Sequence, residues 1–232
     1  MKSLFKSSCL MVCMILFAVP AFADPQPASK FAAMVKGPMI IPATANSFDW
    51  KPVLSTTIKV PSQKDLLIGV SFETGLYTNT QVSGKNGATV SSTASADLQV
   101  KVLLNNQELA FPKSVTFDRR LQTLSATLGG VIQSCTVPLS GVITIGSDCI
   151  VTDEMVGLVL DTLSAHHFNF VAPNLASGTY NLQVLVKGTA YQSGMLAPND
   201  PPTITVGNGA LTVEQVRGTN LPDGIVISTT AP

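Results

Sequence analysis

From residue 53 onward, hydrophobic and polar positions alternate with a period of two, and helical spacing is nearly absent. In residues 95–104 this places Leu98, Val100, Val102 and Leu104 on one face and Asp97, Gln99 and Lys101 on the other. That is the signature of a strand with one side in a core and one in water. Tyr180, Leu182, Val184 and Val186 oppose Thr179, Asn181 and Gln183 in the same way. Further strands are predicted over 55–60, 66–72, 121–128, 156–163, 168–171, 204–206, 210–217 and 225–228. Asn105-Asn106 predicts a turn, with 107–111 returning as hairpin partner to 95–104. Residues 73–93, rich in Gly, Asn, Ser and Thr, read as a long polar loop, a common place for a ligand in a sandwich.

Residues 153–163 suit either state. Met155, Val156, Val159, Leu160 and Leu163 would make a helical stripe behind Asp153-Glu154, but Val156, Val159 and Thr162 favour a strand. Many short, evenly spaced strands predict an all-β fold. The expectation is an antiparallel β-sandwich, immunoglobulin-like or jelly-roll-like, of about 9–11 strands. No repeat or linker divides residues 53–232, so they are expected to form a single domain, with two small domains meeting near 111–113 as the alternative. Residues 24–52 carry Pro25, Pro27, Pro38, Pro42 and Pro52 and read as an extended arm. Its patch Met39-Ile40-Ile41 suits pairing at a sheet edge, and Trp50 is placed to pin its end to the core.

Residues 1–23 change the setting. Lys2 and Lys6 precede an apolar run from Leu10 to Val19, and Ala21-Phe22-Ala23 is a small-x-small cleavage signature, so this stretch reads as a signal peptide. The run is shorter than the roughly 20 apolar residues that span a bilayer, and no later stretch qualifies, so no membrane span is expected. The chain is expected to start at Asp24 after cleavage and to work in the periplasm or outside the cell, which excludes cytosolic metabolism and gene regulation. Cys9 and Cys13 leave with the leader. Cys135 and Cys149 remain, and an even pair in an oxidising compartment predicts a disulfide, closing a hairpin with strands on both sides of Ser140-Gly141. In the chain-entropy picture such a loop stabilises a fold by about 3 kcal/mol. Without Lys2 and Lys6, twelve basic residues face fourteen acidic ones, so nothing invites nucleic acid. Absence of an Asn-x-Ser/Thr sequon fits a bacterial exported protein.

Residues 174–184, with Leu175, Gly178 and Tyr180, resemble the tyrosine corner of immunoglobulin-like and fibronectin type III-like sandwiches. The resemblance implies that the Tyr180 hydroxyl bonds back across the corner while its ring packs inward. It implies architecture and no function.

Residues suited to chemistry are few. The two histidines, His166 and His167, are adjacent, so on a strand they point to opposite faces and cannot share one metal. Gly69-Val70-Ser71-Phe72-Glu73 begins like a nucleophile elbow but has Glu where the last Gly belongs. Asp153, Glu154 and Asp161 are the nearest acidic cluster, and Ser164 with Asp161 the nearest partners for a triad. Asn199-Asp200 and Asp223 offer one carboxylate per loop, too little for a calcium site. No metal site and no cofactor is expected. The aromatics Tyr77, Tyr191 and Trp50 fall in or near predicted loops, where rings stack on sugars. These observations predict a non-catalytic exported β-sandwich with a structural, adhesive or assembly role and a protein partner. A carbohydrate-binding module using Tyr77 and Tyr191 is the first alternative, with a polysaccharide as partner. A hydrolase using Asp153, Glu154 or His166 is the second.

Overall fold

The computed structural model describes residues 31–37, 39–41, 47–194 and 201–216. The leader, the expected start at Asp24, the strand expected over 225–228, and Asn199, Asp200 and Asp223 lie outside the described residues.

Among the described residues eleven strands follow one another: β1 (Phe31–Lys36), β2 (Met39–Ile41), β3 (Ser47–Val60), β4 (Lys64–Gly84), β5 (Ala88–Leu104), β6 (Val115–Leu128), β7 (Val131–Cys135), β8 (Cys149–Thr152), β9 (Glu154–Leu175), β10 (Gly178–Ser193) and β11 (Thr203–Val216). One sheet runs β1-β11-β4-β9, with β2 also pairing β11. The other runs β3-β10-β5-β6, and all pairings are antiparallel. Setting aside β2 and the small hairpin β7–β8, eight long strands remain. The first of these pairs with the last, the second with the seventh, the third with the sixth and the fourth with the fifth. A ribbon folded back on itself in this way and wrapped into two sheets is a jelly roll. Of the two topologies left open by the sequence, the chain adopts this one and not the immunoglobulin-like one.

The tyrosine corner survives the change of topology. Tyr180 Oη donates to the Ala176 carbonyl at 3.0 Å, where the chain leaves one sheet at β9 and enters the other at β10. The motif therefore marks a crossing between sheets and does not select one sandwich family.

Alternation explains the core. Leu66, Ile68, Val70 and Phe72 on β4 face Leu98, Val100, Val102 and Leu104 on β5 and Leu182, Val184 and Val186 on β10, all buried. Pro52 sits in β3, an edge strand, where a missing N–H is tolerated, and the pairing with β10 shifts register beside it.

Three expectations about the long strands change, and a fourth within the disulfide loop. Residues 73–93 are not a loop: they continue β4 to Gly84, turn at 85–87 and return as β5. The alternation there was hidden because three of its inward residues are hydroxyls, set among the buried Leu76 and Val82. Thr74, Thr78 and Thr80 are fully buried, and partners from β6 satisfy them. Asp118 Oδ2 accepts from Thr74 Oγ1 at 2.5 Å, and Gln122 Oε1 accepts from Thr78 Oγ1 at 2.7 Å. Gln122 Nε2 donates to Thr80 Oγ1 at 2.6 Å and to the Leu158 carbonyl at 2.7 Å. Arg120 donates to the carbonyls of Leu76 and Leu160 and to Thr162 Oγ1. One half of the sandwich is thus sealed by apolar packing and the other by a polar seam between β6 and the β4–β9 pair. Residues 107–111 are likewise not the partner of β5. Only Gln107 bridges back, to Leu104, and β6 takes that place. Finally, 156–163 and 168–171 are one strand, β9, which pairs with β4 almost from end to end.

Cys135 and Cys149 pair across β7 and β8 with Cα atoms 4.0 Å apart, forming the expected disulfide. The strands lie outside the bridge, between it and the sandwich. Residues within the bridge form a loop ending in a short helical turn, α1 (Ile145–Asp148), and not the two strands expected there.

Candidate functional site

The two imidazoles lie on opposite faces of β9, as period-two geometry requires. His166 Nε2 is 2.8 Å from Ser164 Oγ and 3.4 Å from Asp118 Oδ2. Hydroxyl and carboxylate meet the same nitrogen, whereas a proton relay needs them on opposite nitrogens. The Phe117 ring meets this imidazole edge-on at 5.8 Å between centroids. His166 and Phe72 also border an open cleft of about 250 Å³, below the usual size of a small-molecule site.

His167 is flanked on both sides. Asn169 Oδ1 lies 2.9 Å from Nε2, which donates to it, and so leaves Nδ1 to accept from Ser71 Oγ at 2.7 Å. This Ser71–His167–Asn169 order of hydroxyl, base and orienting group escaped the sequence reading, because Ser71 is 96 residues from His167 and only the β4–β9 register brings them together. Gly69 makes room for it: a Cβ there would stand 2.5 Å from Thr212 Oγ1 and 3.0 Å from His167 Cε1. However, Ser71 lies mid-strand, between Ala210 on β11 and His167 on β9. Its neighbours on β4 are likewise paired with β11 on one side and β9 on the other. The network ties β4 to β9 on an outer sheet face. The elbow-like stretch Gly69 to Glu73 runs straight through β4 without a turn.

The other named residues do not converge. Asp153 pairs with Lys85 at 3.7 Å, while Asp161 sits opposite Tyr77, roughly 25 Å further along at the rise of an extended strand. Paired glycosidase carboxyls stand about 5–10 Å apart. No group of three His, Cys, Asp or Glu that could hold a metal occurs among the described residues. Tyr77 lies in β4 and Tyr191 in β10, so both are in strands, not loops, and in different sheets. Tyr191 is exposed beside Ser95, and the Trp50 ring is covered by Lys101 Nζ at 4.6 Å.

What the structure does assemble is an apolar end. β6 and β9 both reach the turn at 85–87, and the disulfide hairpin β7–β8 joins them there. On this hairpin and its loop Val131, Ile132, Val137, Leu139, Val142, Ile143, Ile145 and Ile150 are exposed. So are Met155, Val156, Leu158, Val159, Leu160 and Leu163 on β9. Summed over the hairpin and both faces of β9, their exposure comes to on the order of 1,000 Å² of apolar surface, concentrated at this end of the sandwich. From the sequence these β9 residues read as a strand or a helical stripe, with no statement of which side they bury. A signal was present: no Lys or Arg stands between Arg120 and Lys187, whereas a strand edge open to water is ordinarily guarded by them.

No family model matches the chain, and no curated protein matches it significantly. Among solved structures, a chain from "Structure of infectious bursal disease virus Gx strain" aligns at 8% identity and a TM-score of 0.15. The alignment covers 83% of this chain and 41% of that one, and it carries no argument about fold or function. No helix among the described residues is long and apolar enough to cross a membrane.

Proposed function

We propose that this is an exported, non-catalytic jelly-roll protein with an assembly role, which docks a protein partner through the end built from the disulfide hairpin and the first half of β9. The carrying observation is the exposed apolar surface of Val131 to Leu163 on an otherwise well-buried sandwich. A leader-like N-terminus and a disulfide support export. Scattered carboxylates and two histidines tied into separate networks support a non-catalytic role. A protein partner suits the surface better than a polysaccharide, because the exposed residues are aliphatic, whereas sugars stack on aromatic rings.

The test is site-specific photo-crosslinking in the exporting cell, with a benzophenone amino acid at Leu158 or Val142, and at Lys187 on another face as control. Adducts from the first two positions and none from the third are expected. Equal yields from all three, or none, would sink the reading.

A further inference from the structure

Resting on that assembly reading, we infer that the partner is a second copy of this chain, joined by two-fold antiparallel pairing of β9 with itself about Val159. β9 ends the strand order of its sheet, and nothing among the described residues pairs with its outer edge until Phe111 bridges Val171. From Glu154 to Leu163 the edge is thinly guarded, with Glu154 and Asp161 its only charges. It has no Lys and no Pro, and its pairing with β4 runs without a register shift beyond Leu66. The polar seam from β6 anchors this stretch from the inner side, through the Leu158 and Leu160 carbonyls, and so holds it straight without covering its edge.

Self-pairing is favoured by what each register places in opposition. An isologous contact sets residue i against a fixed partner and the reverse. Centred on Val159, it sets Leu158 against Leu160, Met155 against Leu163 and Val156 against Thr162. Of the two carboxylates in the stretch, Asp161 falls opposite Gly157 and Glu154 opposite Ser164. Centring on Asp161 would place two carboxylates face to face, and centring on Gly157 would oppose Asp153 to Asp161, both destabilising. The apolar side chains available on β9, with the neighbouring hairpin, approach the roughly 800 Å² per partner of a stable interface. Pairing would join two four-stranded faces into one continuous sheet across the dimer.

Sedimentation velocity of the purified full chain at micromolar concentrations is expected to show a dimer. The double substitution Leu158→Lys with Leu160→Lys is expected to give a monomer with an unchanged circular dichroism spectrum. A short bis-maleimide should link Val159→Cys across the axis into a covalent dimer. It should not link Val156→Cys, whose two copies stand about 20 Å apart in this register. A monomer at 100 µM by assay design, or a dimer that links through Val156→Cys and not Val159→Cys, overturns the inference. Photo-adducts at Leu158 of a mass other than twice the chain overturn self-pairing while sparing the assembly role. An absence of adducts removes both.

Discussion

Replacing Gln122 with Ala should unfold the sandwich more readily than its single amide suggests. The side chain is buried between the sheets and makes three hydrogen bonds: from Thr78 Oγ1, to Thr80 Oγ1 and to the Leu158 carbonyl. At about 0.5–1.5 kcal/mol for each bond, with two hydroxyls left in a dry layer, the loss is expected to be about 3 kcal/mol. For a domain of this size that lowers Tm by roughly 6–12 °C. Urea unfolding followed by Trp50 fluorescence and far-ultraviolet circular dichroism measures it. The companion is Gln122→Leu combined with Thr78→Val and Thr80→Val, which removes all the side-chain partners together, leaves only the Leu158 carbonyl of the set, and should recover most of the loss, since apolar replacement of both partners is nearly neutral. A loss below about 0.5 kcal/mol for Gln122→Ala would refute the seam as a stabilising element. So would a triple variant as unstable as the single one.

Two further expectations concern charge and the bridge. Burial pushes the Asp97 carboxyl above its ordinary value, against the opposing pull of Arg119 and Gln99. The folded state therefore holds its proton more tightly than the unfolded chain, and the stability it contributes is present at acid pH and lost as pH rises from the ordinary value through the raised one. Asp97→Asn should flatten that part of the stability–pH curve, measured by urea midpoints from pH 3 to 7, and an unchanged slope would count against it. The pair Cys135→Ser with Cys149→Ser should leave the cooperative unfolding midpoint almost unmoved, because the residues it ties add nothing to the buried core. Hydrogen exchange should rise only across 131–152. The full chain-entropy value of about 3 kcal/mol appearing in global unfolding would show that the hairpin belongs to the cooperative unit.

Much of the sandwich was legible because its inward residues are aliphatic at every second position, as in β5 and β10. The second half of β4 was not, since Thr74, Thr78 and Thr80 look like surface residues until Asp118 and Gln122 are brought across from another sheet. Hydrogen bonding over 42 or 44 residues leaves no local trace. The apolar end went unseen for the opposite reason: Leu158 and Leu160 are aliphatic like the residues of any buried strand, and only the strand order shows that β9 is an edge. Tyr180 was read correctly because its bond spans only four residues.

The nested pairing also sets a timetable for folding. β5 and β6 are neighbours in sequence and close the shortest loop, then β4 with β9, β3 with β10 and finally β1 with β11, each closure shortened by the one inside it. Most contacts are long-range, and zipping from the middle outward predicts a nucleus at β5–β6 and termini that dock last. A chain delivered N-terminus first must therefore keep β1, β3 and β4 waiting, strands rich in unpaired amides, until β9, β10 and β11 have emerged. Substitutions in β5 or β6 should slow refolding, while those in β1 or β11 should mainly speed unfolding.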